Sequence, residues 1–125
     1  MSAARAWMDE AYLRLEDAEI LHERERHARA VSACYYAVRA AGKGALKAEG
    51  VGISSHKAFR VHLAKEFIRR GYLPDDTDAF VDEVYKRRLR ADYELAEFSV
   101  GTTSDVIAAV LERLNQFAAL LKKKE

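Results

Sequence analysis

The sequence predicts an all-α protein, an antiparallel up-and-down bundle of four or five helices. Apolar residues recur three and four positions apart through five separate stretches, which is the spacing of one helix face. No stretch alternates with period two for long enough to form a strand. Six glycines and a single proline among 125 residues are too few for the turns of a β-sandwich.

The first helix is predicted from about Ala3 to Arg24, with Ala4, Met8, Ala11, Leu15, Ala18 and His22 in one stripe that Trp7 and Leu21 widen. The second, from about Arg29 to Lys47, carries Ala30, Cys34, Ala37, Ala41 and Ala45 on one face, broadened by Val31, Tyr35 and Val38. Its alanines, with Gly42 and Gly44 beside them, suit a helix that its neighbours approach closely, despite the propensity cost of glycine. After the break at 49–52, Ser54 or Ser55 is placed to cap a third helix bearing Phe59, Leu63 and Phe67 and stopping at Gly71. The turn at 71–76 hands over to a fourth helix, from about Asp78 to Phe98, with Phe80, Val84, Ala91, Leu95 and Phe98 on its core side. Gly101-Thr102-Thr103-Ser104 is read as the last loop. A fifth helix then carries Ile107, Val110, Leu114, Phe117 and Leu121 and ends in three lysines that complement its negative dipole end.

Half of the residues are hydrophobic and a third are charged, too apolar for a disordered chain. The length fits one domain over residues 1–125. A formal net charge of +1 argues against a protein that depends on nonspecific attraction to nucleic acid, though it permits a local basic patch. One cysteine, Cys34, excludes a disulfide framework and a cysteine-rich zinc site. No segment has the ~20 apolar residues of a membrane span, and the start, Met1-Ser2-Ala3-Ala4-Arg5, does not read as a signal peptide. A cytoplasmic protein is expected.

The informative local pattern is Tyr85-Lys86-Arg87-Arg88-Leu89-Arg90-Ala91-Asp92-Tyr93. Arg87 and Arg90 have acidic or polar neighbours a turn away and read as surface charges. Arg88 projects from a largely apolar face, where a permanent charge needs a partner, and Asp92 at i+4 supplies one. Such a pair either fixes helix register or holds a guanidinium ready for a phosphate, in a cleft or at a dimer seam. Of Tyr35 and Tyr36, about 100° apart on a helix, Tyr35 joins the apolar stripe while Tyr36 aims at another helix or a second subunit.

The histidines give weaker signals. His22 and His27 are five apart and His56 and His62 six apart, so neither pair has the i,i+4 spacing of two ligands on one helix face. His22 reads as packed or interfacial and His27 as solvated in the first turn. His56, at the start of the third helix, is the second candidate for anion contact. No metal cluster has usable spacing, and Cys34 reads as a core residue rather than a nucleophile.

Four pieces in order carry a family resemblance: Leu15-Glu16-Asp17-Ala18-Glu19, the run from Ala30 to Val38, Ser55-His56-Lys57-Ala58-Phe59, and Arg88-Leu89-Arg90-Ala91-Asp92-Tyr93. Together they resemble a HEPN domain of the short, stand-alone prokaryotic kind over nearly the whole chain. The resemblance implies a helical bundle that pairs into a homodimer, with polar residues of the fourth helix near an interface cleft. It also implies an RNA or nucleotide ligand and a minimal nucleotidyltransferase partner in a toxin–antitoxin-like module. Many HEPN proteins are metal-independent ribonucleases in which an arginine is followed, four to six residues later, by a histidine. Here Arg88 matches the arginine, but Asp92-Tyr93 stands where the histidine is expected and no histidine follows. Asp92 paired with Arg88 is a poor proton donor, and Tyr93 a weak base. The candidate set is Arg88, Asp92 and Tyr93 for chemistry, and Arg88, His56 and Tyr36 for ligand contact, with no metal or cofactor. The readings are a HEPN partner protein that contacts phosphate, a metal-independent endoribonuclease with an altered catalytic set, and a structural dimerisation module.

Overall fold

A computed structural model describes residues 2–124; Met1 and Glu125, the outer bounds of the expected domain, lie outside the described residues. Five α-helices run α1 (Ala3–Glu23), α2 (His27–Ala48), α3 (His56–Leu63), α4 (Thr77–Tyr93) and α5 (Val100–Lys124), with a π-helical turn, Ala64–Ile68, extending α3. No strand occurs among the described residues. The all-α bundle is as the apolar spacing predicts.

The central element is α2, which α1, α3, α4 and α5 all touch. It buries residues on several faces, from Ala30 to Leu46, most of them small. Small side chains bring neighbouring helix axes close. A Cβ on Gly42 would collide with the Phe59 ring, and one on Gly44 would stand 2.6 Å from the Trp7 Cβ and 2.9 Å from the Ala4 carbonyl oxygen. Around α2, Leu15 of α1, Phe59 and Leu63 of α3, Phe67 of the π turn, Val81 of α4 and Val110, Leu114 and Phe117 of α5 form the core.

The helix ends follow local chemistry. Ser2, Ser55 and Ser99 each accept a backbone N–H three residues on, at 3.2, 3.0 and 3.0 Å. At the end of α1, Arg26 N–H bonds Leu21 O (2.9 Å) and Glu25 N–H bonds His22 O (3.0 Å), a Schellman closure with Glu25 at φ 61°. The end of α2 closes the same way on Gly50 at φ 75°.

Two boundaries depart from the sequence reading. The fourth helix ends at Tyr93 rather than Phe98. Leu95 turns into the left-handed region (φ 52°) and is 83% exposed, so it is not on the core side, and Phe98 lies beyond the helix, half-buried. The expected loop at 101–104 is instead the first turn of α5, because Ser99 caps that helix and the buried Thr103 hydroxyl donates to the Ser99 carbonyl (2.8 Å). Val106 and Leu120 are buried, whereas Ile107 and Leu121 flank the core half-buried.

Two arginine clamps fix α4. Arg113 of α5 donates from both terminal nitrogens to Asp76, at 2.8 and 2.9 Å, just before α4 begins. Arg60 of α3 donates to both oxygens of Asp78, at 2.9 and 2.8 Å, and lies 3.2 Å from Asp82. Bidentate guanidinium–carboxylate pairs fix direction as well as distance.

Candidate functional site

Asp82, Tyr85, Arg88 and Asp92 follow one another at intervals of three, three and four, so α4 lines them along one face. Opposite that face, α2 presents Tyr35 and Tyr36. The Arg88 guanidinium carbon lies 5.2 Å from the centre of the Tyr36 ring, 5.7 Å from Tyr93, 5.8 Å from Tyr35 and 6.0 Å from Tyr85. Four electron-rich rings thus surround one cation. Arg88 Nε donates to Asp92 Oδ2 at 3.1 Å, and the arginine side chain is 17% exposed. Its two terminal nitrogens make no hydrogen bond among the described residues. Burial works against the charge, but the oxygens of Tyr36, Asp92 and Tyr93 more than offset it and hold the guanidinium above its ordinary range. The result is an oriented cation whose fork of donors is free for an oxyanion.

A second network adjoins the first. His56, the first residue of α3, lies stacked on Tyr85. Its Nε2 is 3.2 Å from Asp82 Oδ1 and its Nδ1 is 3.2 Å from the Tyr35 hydroxyl, to which Arg39 also donates at 3.4 Å. An ionised Asp82 accepts the proton on Nε2, leaving Nδ1 to accept from the phenol. Burial lowers the affinity of His56 for a second proton, an effect that Asp82 offsets only in part. For Asp82, burial alone would raise the pKa, yet hydrogen bonds from Lys86 and His56 and the charge of Arg60 bring it below the carboxylate range. Burial raises the Tyr35 phenol despite Arg39 and Arg88.

Of the residues singled out in the sequence, Arg88, Asp92, Tyr93 and Tyr36 come together. Tyr36 does aim at other helices, reaching Arg14 of α1 (6.0 Å) as well as Arg88. His56 stands behind them: it shares Tyr35 and Tyr85 with Arg88, but both its ring nitrogens face inward partners and no hydrogen bond joins it to Arg88. Tyr85, Asp82 and Arg39 were missed. Only the regular interval from Asp82 to Asp92 signalled that Tyr85 belongs with Arg88. The surface that buries Arg88 is aromatic rather than aliphatic.

Other expectations meet mixed outcomes. Cys34 is fully buried and its thiol is pushed up to about 12, chiefly by burial, in keeping with a core residue. Arg87 pairs with Glu83 at 3.0 Å on the helix edge, and Arg90 is exposed. His27 is not solvated in the turn: it opens α2, half-buried, with its Nδ1 2.9 Å from that of His22. Cavities of about 620, 520 and 290 Å³ are lined by residues other than Arg88; the second borders Ala91 and Leu95, close to it in sequence. No group of three or more potential metal ligands occurs among the described residues, and no helix there is long and apolar enough to cross a membrane.

A search of the curated proteins finds no match. The sequence model of the HEPN domain matches residues 4–124, nearly the whole chain, including α2 and α4, which build the arginine–tyrosine cluster. The protein belongs to the HEPN domain family.

Proposed function

We propose that this HEPN protein binds an RNA or nucleotide phosphate through Arg88 and works as a homodimer with a minimal nucleotidyltransferase-like partner in a toxin–antitoxin-like module. The observation that carries the reading is the state of Arg88: Nε is tied to Asp92 while both terminal nitrogens are without a hydrogen bond among the described residues, in a bed of tyrosine rings. A phosphate oxygen replaces water on such a fork without further ordering of the side chain. Tyr93, 72% exposed, offers a ring beside that phosphate on which a base can stack.

A second reading, a metal-independent endoribonuclease, draws on one feature: His56 lies against Tyr85, the ring that also flanks Arg88. In that case Arg88 stabilises the charge that develops on the phosphate as a ribose 2′-OH attacks. With both nitrogens of His56 engaged, the partner reading stands first.

The test is RNA binding and metal-free RNA cleavage by purified wild type beside folded Arg88→Ala. Binding without cleavage, lost in the variant, supports the first reading. Cleavage that disappears in the variant establishes the second. Binding equal in both proteins removes Arg88 from the function. Copurification of a small nucleotidyltransferase with the tagged protein tests the partner separately.

A further inference from the structure

His22, in the last turn of α1, and His27, the first residue of α2, are five residues apart but lie on two helices joined by a tight turn. That turn closes on Glu25 in the left-handed region and folds the second imidazole back onto the first. Their Nδ1 atoms are 2.9 Å apart, with ring centroids 4.9 Å apart and planes at 60°. Nε2 of His22 is 2.9 Å from the Ser104 hydroxyl in the first turns of α5. A short contact between two such nitrogens holds a single proton, since two protons would meet and none would leave facing lone pairs.

We propose that His22 and His27 form a two-imidazole chelating site for a borderline divalent transition ion, of which copper(II) and nickel(II) fit best. Imidazole nitrogen suits these ions. Adjacent ligands at right angles, each about 2.0–2.1 Å from the ion, stand about 2.9 Å apart, whereas two tetrahedral zinc ligands stand about 3.3 Å apart. The 2.9 Å between the two Nδ1 atoms is the length of the hydrogen bond they share, and it equals the first of these spacings, so a right-angled pair of ligand positions needs the smaller displacement of the nitrogens. Ser104 supplies the outer contact: when Nε2–H of His22 donates to its hydroxyl, the lone pair on Nδ1 is left for the metal. His27 gives up the bridging proton from Nδ1 and carries one on Nε2 instead, so the exchange balances for the neutral pair. The two rings rotate to aim both lone pairs at the ion, and water fills the remaining positions. The bound ion ties the end of α1 to the start of α2, with α5 held through Ser104. This site is independent of Arg88 and of the reading above.

The experiment is calorimetric titration and thermal unfolding of the untagged protein with nickel(II), copper(II) and zinc(II), slightly above neutral pH. Wild type binds one nickel or copper ion and its Tm rises with concentration, with zinc weaker. His22→Ala and His27→Ala, both away from the core, each abolish binding and shift. Ser104→Ala weakens the affinity about tenfold. His56→Ala leaves both unchanged. No binding by wild type at millimolar metal, or equal binding by the His22 and His27 variants, overturns the site.

Discussion

His56 lies flat on Tyr85, ring centroids 3.6 Å apart and planes 9° from parallel, while Asp82 and Tyr35 hold its two nitrogens. A half-buried, doubly bonded imidazole of this kind is kept neutral. Its folded-state pKa lies below the ordinary 6.5, so as the pH falls below that value the unfolded chain takes up the proton first and stability drops. The carboxylates extend the loss to lower pH. Side-chain bonds from Arg113 and Arg60 hold Asp76 and Asp78 below the ordinary range, and Asp82 is lowered as well, so their stabilisation disappears as the pH falls through those depressed values. Urea unfolding across a pH series will show stability declining from about pH 6.5 downward. His56→Gln will remove the upper part of that slope and leave the lower part.

Arg88 and Asp92 separate recognition from packing. Arg88→Ala deletes the oxyanion donors, which will weaken RNA binding by about 1.5–3 kcal/mol, roughly ten- to a hundredfold. It will also make the salt dependence of binding shallower by about one ion. Replacing both residues, Arg88→Met with Asp92→Leu, will leave thermal stability unchanged or higher while binding stays weakened to the same extent. Retention of full RNA affinity by that double variant would leave the pair a packing element only.

Gly44 sets the distance between α1 and α2. A methyl group there meets backbone and Cβ atoms of Ala4 and Trp7, which cannot swing aside. Gly44→Ala will cost roughly 1–3 kcal/mol in chemical denaturation. Gly52 has open space around it, and Gly52→Ala will be neutral or slightly stabilising, by up to about 1 kcal/mol.

Glu25 and Leu95 occupy the left-handed region without being glycine, at φ 61° and 52°. Gly50 and Gly71 fill the comparable closing positions after α2 and after the π turn, at φ 75° and 80°. Glu25→Gly and Leu95→Gly will each raise stability by about 0.5–1 kcal/mol, the relief of strain exceeding the added freedom of the unfolded chain. Differential scanning calorimetry will register a rise of a few degrees for each, and more for the pair.

The helices were legible because burial imposes a period that a sequence displays directly, as Ala11, Leu15 and Ala18 do in α1. The end of α4 was not, because Leu95 and Phe98 continue the apolar period past the point where the backbone leaves the helix. A leucine in the left-handed region carries no warning in its type. Ser99, three residues before Thr102, is a legible cap that a glycine–threonine run obscured. Within the site, Arg88 and Asp92 were readable as an i,i+4 pair. Tyr36 was readable as the outward member of a tyrosine doublet. The partners of His56 lie 21 and 26 residues away on other helices, and such pairings depend on how helices cross rather than on local spacing. The same holds for His22 and His27: a rule for one continuous helix cannot see two imidazoles meeting across a turn.

Cys34 is wholly enclosed and its thiol, at about 12, stays protonated. Toward maleimides and other thiol reagents the native protein therefore behaves as if it had no cysteine. A single cysteine introduced at an exposed position such as Leu13 or Leu111 will take a fluorophore or spin label stoichiometrically, with the natural residue left in place. Energy transfer or dipolar spectroscopy between two labelled copies then reports their spacing directly, so self-association can be measured as a distance as well as a mass.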